Sequence, residues 1–265
     1  MKIVCLKGGL GNQMFEYCRF RDLMESGNDK VYLFYDRRRL KQHNGLRLSD
    51  CFELELPSCS WGIKLVVWGL KICRAVGVLK RLYDDEKPEA VLIDDYSQHR
   101  RFIPNARRYF FFRQFLAELQ SGFVQMIRAV DYPVSVHVRR GDYLHPSNSI
   151  FGLCGVDYFQ QAIAYVRKKR PDVRFFFFSD DMEWVRENLW MEDAVYVEHT
   201  ELMPDYVDLY LMTLCRGHII SNSTFSFWGA YLAVDGNGMK IYPRRWFRDP
   251  TWTSPPIFSE EWVGL

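Results

Sequence analysis

The chain has 265 residues, 48% hydrophobic and 16% aromatic, enough for one large domain or two small ones around a substantial core. A formal net charge of +2 argues against a dedicated nucleic-acid binder. Seven cysteines without a C-x-x-C pair exclude a zinc framework and a disulfide scaffold and point to a reducing compartment, and no stretch is long and apolar enough to span a bilayer.

Strand and helix patterns alternate along the whole chain. Lys2 to Lys7 reads as a strand that follows the N-terminus directly, and Asn12 to Gly27 as a helix with Gly27 as its stop. Val31 to Tyr35 is the next strand. Trp61 to Tyr83 mixes apolar residues with Lys64, Lys71, Arg74, Lys80 and Arg81. Its simpler reading is a helix packed on the protein, and its sharper one a basic amphipathic helix on an anionic membrane. Ala90 to Asp94 is a short strand and Phe115 to Ile127 a helix.

The second half opens with the strand "VSVHV" and a loop over Gly141 to Gly155. A helix runs from Asp157, placed as its N-cap, to Lys169. Val173 to Asp181 is a strand ending in two aspartates, followed by the helix "MEWVRENL" and the strand "AVYVE". The helix "DYVDLYLMTLCRG" is expected to stop at Gly217. "HIISNST" is a strand and loop, "FSFWGAYLAVDG" a helix, and "MKIYP" the strand that closes the sheet. Such alternation predicts an α/β fold with parallel sheets and crossover helices, in two Rossmann-like halves with a central cleft. The join falls near Arg100 to Arg113, giving domains 1–113 and 114–265.

Four constellations carry chemistry. "KGGLGNQMF", Lys7 to Phe15, fails as a dinucleotide fingerprint because no third glycine follows Gly9 and Gly11. It reads equally as a plain βα turn or as a turn presenting backbone amides with Asn12 and Gln13. In "HVRRGD", strand alternation puts His137 and Arg139 on one face and Arg140 on the other if the strand persists. One arginine would then meet a ligand, for which its planar fork suits phosphate, while the other pairs with Asp142. Taken alone, a structural ion pair is the simpler reading. In "FFFFSDD" the phenylalanines demand burial on both faces. That leaves Ser179, Asp180 and Asp181 at the carboxyl end, where one aspartate is explained as an N-cap and the other is not. "ISNSTFSFW" places Asn222, Ser223, Thr224 and Phe225 at a helix start, which is either simple capping or an anion site. Three strand ends thus bear arginines, carboxylates and a hydroxyl-lined helix start on one sheet edge, a set that matches a nucleoside diphosphate. No D-x-D triplet is present to hold a divalent metal, so arginine and a helix dipole would stabilise the leaving group.

These motifs, in this order over nearly the whole chain, resemble glycosyltransferase family 11, the bacterial α-1,2-fucosyltransferases. The resemblance implies a GT-B architecture and metal-independent, inverting transfer of fucose from GDP-fucose to the 2-hydroxyl of a galactose-terminated acceptor. It implies Arg139 at the β-phosphate with His137 and Arg140 beside it, and Asp180 or Asp181 at the guanine or ribose. Asn222, Ser223, Thr224 and Phe225 would complete the diphosphate pocket. Asn12 and Gln13 would reach toward fucose and acceptor from an N-terminal acceptor-side domain. The family usually has glutamine where this chain has Glu16, which could add a carboxylate near the acceptor. Asp142 and Glu16 are the candidate bases, and Arg139, Asp142 and Asn12 the expected catalytic set. No cofactor is expected. Membrane-anchored animal relatives differ from a chain that opens at its first strand, so a bacterial cytoplasmic enzyme is expected, with peripheral contact at the inner membrane face as the sharper reading of Trp61 to Tyr83. The alternatives are another GDP-sugar transferase of surface polysaccharide assembly, or a non-catalytic nucleotide-sugar-binding protein.

Overall fold

Alternating apolar strands and amphipathic helices resolve into two compact units, Met1–Arg113 and Gln114–Leu265. The structure, a computed structural model, describes residues 1–27, 29–84, 87–119, 121–148, 150–198 and 203–265.

In the first unit, β1 (Lys2–Leu6) leads into α1 (Leu10–Glu25), and β2 (Val31–Tyr35) into the short helices α2 (Arg37–Leu40) and α3 (Leu48–Cys51). The longer α4 (Trp61–Ala75) then crosses back to β3 (Leu92–Ile93). The sheet is parallel in the order β2-β1-β3. Its core closes where Ile63, Val67 and Leu70 of α4 pack on Ile3, Cys5 and Leu92. The helix expected to reach Tyr83 stops at Ala75, since Gly77 (φ +75°) and Leu79 (φ +55°) both leave the right-handed region.

In the second unit, α5 (Phe115–Leu119) and α6 (Ser121–Arg128) are the described parts of the helix expected over Phe115 to Ile127, with Gln120 outside the described residues. The chain continues through β4 (Tyr132–Val138), α7 (Val156–Lys169), β5 (Val173–Ser179), α8 (Met182–Asn188), β6 (Val195–Tyr196), α9 (Tyr206–Leu214), β7 (Gly217–Ile219), α10 (Thr224–Tyr231), β8 (Lys240–Tyr242) and β9 (Val263–Gly264). Every strand pair is parallel, in the order β6-β5-β4-β7-β8-β9. The chain therefore moves outward one way from β4 and the other way from β7. The carboxyl ends of those two strands flank the topological switch point, the usual ligand crevice of an open α/β sheet.

Strand β5 is buried on both faces as its composition demands, with Phe175, Phe176, Phe177 and Phe178 all at 0% exposure. Three local expectations are corrected. Gly155, not Asp157, is the N-cap of α7, and Asp157 stands in the first turn, where its charge suits the helix dipole. Gly217 opens β7 and does not stop α9, which ends at Leu214; a Cβ at Gly217 would lie 3.0 Å from both Tyr132 and Val134, so glycine serves close strand packing there. The sheet is closed by β9, paired through Tyr242 and Gly264, and not by β8.

Candidate functional site

Strand β4 ends at Val138, so Arg139 and Arg140 lie just beyond it and strand alternation no longer assigns them. The structure separates their roles by their partners. Arg139 Nη2 donates to Asp142 Oδ1 at 2.7 Å and Nη1 lies 3.1 Å from Asp180 Oδ2, with the side chain one-third exposed. Arg140 Nε donates to Asp181 Oδ2 at 3.1 Å, its guanidinium lies 4.0 Å from the Trp184 ring centroid, and its backbone amide donates to Asp180 Oδ1 at 2.8 Å. Arg140, its side chain 15% exposed, is thus locked against β5 and α8, while Arg139 stays one-third exposed. Asp181 also caps α8, accepting from Trp184 N at 3.2 Å. The aspartate left unexplained by capping is Asp180, and its partners are Arg139 and the Arg140 amide.

Beneath these groups two Ser–His pairs cross from β4 toward β7. Ser135 Oγ bonds His218 Nδ1 at 2.8 Å, and His137 Nδ1 bonds Ser221 Oγ at 2.9 Å. Burial pushes His137 down to about 4, with Asp180 opposing and Arg139 adding to the shift. Its ring faces Phe225 at 5.8 Å between centroids. His137 is therefore neutral at physiological pH and 5% exposed, a support beneath the Arg139 site.

At the end of β7, Ser223 is the N-cap of α10 without a side-chain cap bond, and Thr224 and Phe225 begin the helix half-exposed. First-turn amides of any helix lack intrahelical acceptors, and this first turn follows the carboxyl end of β7 at the switch point. Asn222, expected to contact a donor, is instead 0% exposed. Its Nδ2 donates to Gly152 O (2.6 Å) and Trp246 O (2.7 Å), and its backbone carbonyl accepts from Tyr143 Oη (3.0 Å). It ties three loops together. Tyr143, 5.8 Å from the Arg139 guanidinium, also lines a cavity of about 980 Å³ with Phe151, Tyr158, Arg245 and Arg248. Ser149, in the loop expected over Gly141 to Gly155, lies outside the described residues.

In the first unit the glycine turn positions three polar side chains differently. Gly8 sits at φ +67°, where a Cβ would lie 2.7 Å from Asn12 Nδ2, so the turn needs glycine. Asn12 is half-exposed and its Oδ1 accepts from Gln98 Nε2 at 2.9 Å. Gln13 is 0% exposed. Its Nε2 donates to Gly8 O and Gly45 O, both at 2.9 Å, and its Oε1 accepts from Arg47 N at 3.2 Å. Gln13 pins the loop after α2 and has no face left for an acceptor.

Glu16 is likewise 0% exposed. Its Oε2 accepts from Lys7 N at 2.8 Å, and Oε1 has no hydrogen-bond partner among the described residues. Burial holds its carboxyl well above the usual carboxylate range, with the Lys7 amide and charge opposing. A folded-state value raised above the unfolded one means stability present at low pH and lost as pH rises from the ordinary carboxylate range through the folded value. Glu16→Gln keeps the shape and removes that slope. Its thermal midpoint is expected to exceed that of the wild type by more at pH 8 than at pH 5; parallel profiles would show that Glu16 does not hold a proton in the folded chain.

The arginine and aspartate motifs were visible in sequence, as was the α10 start. The Ser–His pairs were not, because the partners stand 83 and 84 residues apart and become neighbours only when β7 joins β4.

The chain matches the family described as Glycosyl transferase family 11 over residues 105–265. An alpha-1,2-colitosyltransferase of Escherichia coli is 30% identical, the match covering 98% of this chain and 97% of that protein. Galactoside 2-alpha-L-fucosyltransferase SEC1 of Bos taurus is 33% identical over 50% of this chain and 38% of its own length. Among solved structures, the NodZ alpha-1,6-fucosyltransferase co-crystallized with GDP superposes with a TM-score of 0.54 at 15% identity, covering 88% of this chain and 92% of that one. That likeness shows the fold, the GT-B-like α/β class expected from the sequence.

Proposed function

The chain belongs to glycosyltransferase family 11, and from that premise we propose that it transfers a 6-deoxyhexose, L-fucose in the first instance, from its GDP derivative to a hydroxyl of a galactose-terminated glycan. The observation that carries this reading is Arg139, one-third exposed and held at the switch-point end of β4 by Asp142 and Asp180. It is supported by the printed names of the relatives, a colitosyltransferase and a galactoside fucosyltransferase, and by a fold neighbour co-crystallized with GDP.

The reaction proposed is an in-line displacement with inversion. An acceptor hydroxyl oxygen forms the bond to C1 as the bond from C1 to the diphosphate oxygen breaks. The electron pair leaves with GDP, and the hydroxyl proton passes to a base. Deoxy sugars reach an oxocarbenium-like state readily, so leaving-group stabilisation dominates, with Arg139 and the α10 amides taking the place of a metal ion. Of the two carboxylates weighed as base, Glu16 is buried, whereas Asp142 is 47% exposed, which makes Asp142 the base in this reading. Asp180 and Asp181 serve in this reading first as holders of the two arginines. Asn12, half-exposed in the first unit, remains the acceptor-side candidate.

One observation favours a second donor. The colitosyltransferase relative spans the chain end to end, whereas the galactoside fucosyltransferase covers half of it. Colitose is fucose without the 3-hydroxyl, and a site built to bond that hydroxyl rejects the analogue lacking it. Turnover should therefore be compared with GDP-fucose, GDP-colitose, GDP-mannose and UDP-galactose on a set of β-galactosides, with linkage analysis of the product and an EDTA arm. Transfer from GDP-fucose or GDP-colitose that survives EDTA is expected. Preference for UDP-galactose, loss on chelation, or GDP binding without transfer would overturn the reading.

A further inference from the structure

We propose that the outer face of α4 is a docking surface for an anionic lipid bilayer. The helix has two apolar faces on opposite sides. The inner one, Ile63, Val67 and Leu70, is packed in the core of the first unit. The outer one, Trp61, Leu65, Trp68 and Ile72, recurs at helical spacing and faces solvent, with Trp61 75% and Trp68 69% exposed. Exposed Val76, Val78 and Leu79 continue it past the helix end. A core needs only one apolar face, so the second is unspent within the unit.

The helix is fixed in place. Lys71 Nζ lies 3.3 Å and Arg74 Nη1 3.5 Å from Asp94 Oδ2, so two of its cations share one carboxylate. Further outward charge comes from α2. Arg37, Arg38 and Arg39 of α2 are exposed, and with Lys64, Trp61 and Trp68 they line a cavity of about 770 Å³ beside the apolar stripe. Its one carboxylate, Asp36, is engaged by the Arg38 amide at 2.9 Å and lies 3.8 Å from Arg39 Nε. Lys80 and Arg81 follow the helix, and from Trp61 to Tyr83 there is no acidic residue.

Two tryptophans on an apolar stripe, rimmed by arginine and lysine, match the boundary between anionic headgroups and acyl chains. The cavity would receive lipid phosphates, for which arginine forks are suited. No described helix is long and apolar enough to cross a membrane, so the helix would lie on the surface and not span it. A second copy of the chain fits less well, since a two-fold contact would set the same arginines against each other. This surface is independent of the donor assigned above.

Co-sedimentation of the full chain with phosphatidylglycerol-containing and with phosphatidylcholine vesicles tests it. Binding to the anionic vesicles, weakened by salt and lowered about tenfold or more by the Trp61→Ser/Trp68→Ser pair, is expected. Both side chains are exposed, so the pair should leave the thermal midpoint and turnover on a soluble acceptor unchanged. A chain that stays in solution with anionic vesicles, or binding that survives the pair, overturns the proposal. So does sedimentation velocity showing a dimer that Leu65→Glu dissociates while vesicles bind nothing.

Discussion

Arg139→Ala is expected to lower kcat by about 100-fold or more, the usual effect of deleting a group that stabilises developing charge, while leaving the unfolding midpoint near that of the wild type. The geometry makes the test selective. Two guanidinium groups, Arg139 and Arg140, stand here against three carboxylates, Asp142, Asp180 and Asp181. Net charge therefore does not draw a diphosphate to this place. Directed bonds must hold it, and the arginine able to turn toward it is the more exposed one, Arg139. Asp142, the more exposed of its two partners, is the one that can give way. Arg139→Lys should be nearly as poor, because an ammonium cannot reproduce two parallel bonds. Arg140→Ala should act mainly on stability, since it removes the Asp181 contact and the face against Trp184. Gly141→Ala supplies an arm that deletes no polar group. A Cβ there would lie 2.8 Å from Asp180 Oδ2, pushing aside the carboxylate that orients Arg139, so kcat should fall with little change in fold. Near-normal turnover by Arg139→Ala, with donor and acceptor saturating, would remove Arg139 from the chemistry.

What could be read in advance follows from the range of the interactions. Strand and helix types are local: four consecutive phenylalanines specify a strand buried on both faces, and Ser–Thr–Phe–Ser after a strand specifies a helix start. Partners are not local. The sequence shows two arginines and three aspartates but not that Arg139 takes Asp142 and Asp180 while Arg140 takes Asp181. Those choices depend on β5 lying beside β4. Gly217 looks like a helix stop in sequence and proves to be a packing glycine because β7 joins the far side of β4. Gln13 looks like a group presented to substrate, yet three backbone groups, one of them 34 residues away, consume it. On α4 the charges are evident in sequence, but only Asp94, brought in by β3, shows that Lys71 and Arg74 share a carboxylate.

The same buried pairs that escaped the sequence should govern acid stability. Burial pushes His218 down to about 3, with the Lys240 charge in the same direction, and His137 down to about 4. Both rings are neutral in the folded chain, whereas in the unfolded chain they titrate near the ordinary value of about 6.5. Below that value the unfolded state binds more protons, so stability present above pH 6.5 is lost as pH falls, until the folded values are reached. At pH 5 each histidine should have cost about 2 kcal/mol relative to pH 7, from roughly 1.5 units at 1.36 kcal/mol each. Acidic groups titrate in the same region, so the slope must be isolated by difference. His218→Asn retains a polar group near the Ser135 hydroxyl and has no proton to gain. Its urea-unfolding free energy should lie below that of the wild type at pH 7, because the ring's packing is lost, and the gap should close by about 2 kcal/mol at pH 5. A gap that stays constant would mean that His218 is either charged in the folded chain or already shielded in the unfolded one, and the neutral Ser–His ladder beneath the arginine site would have to be abandoned.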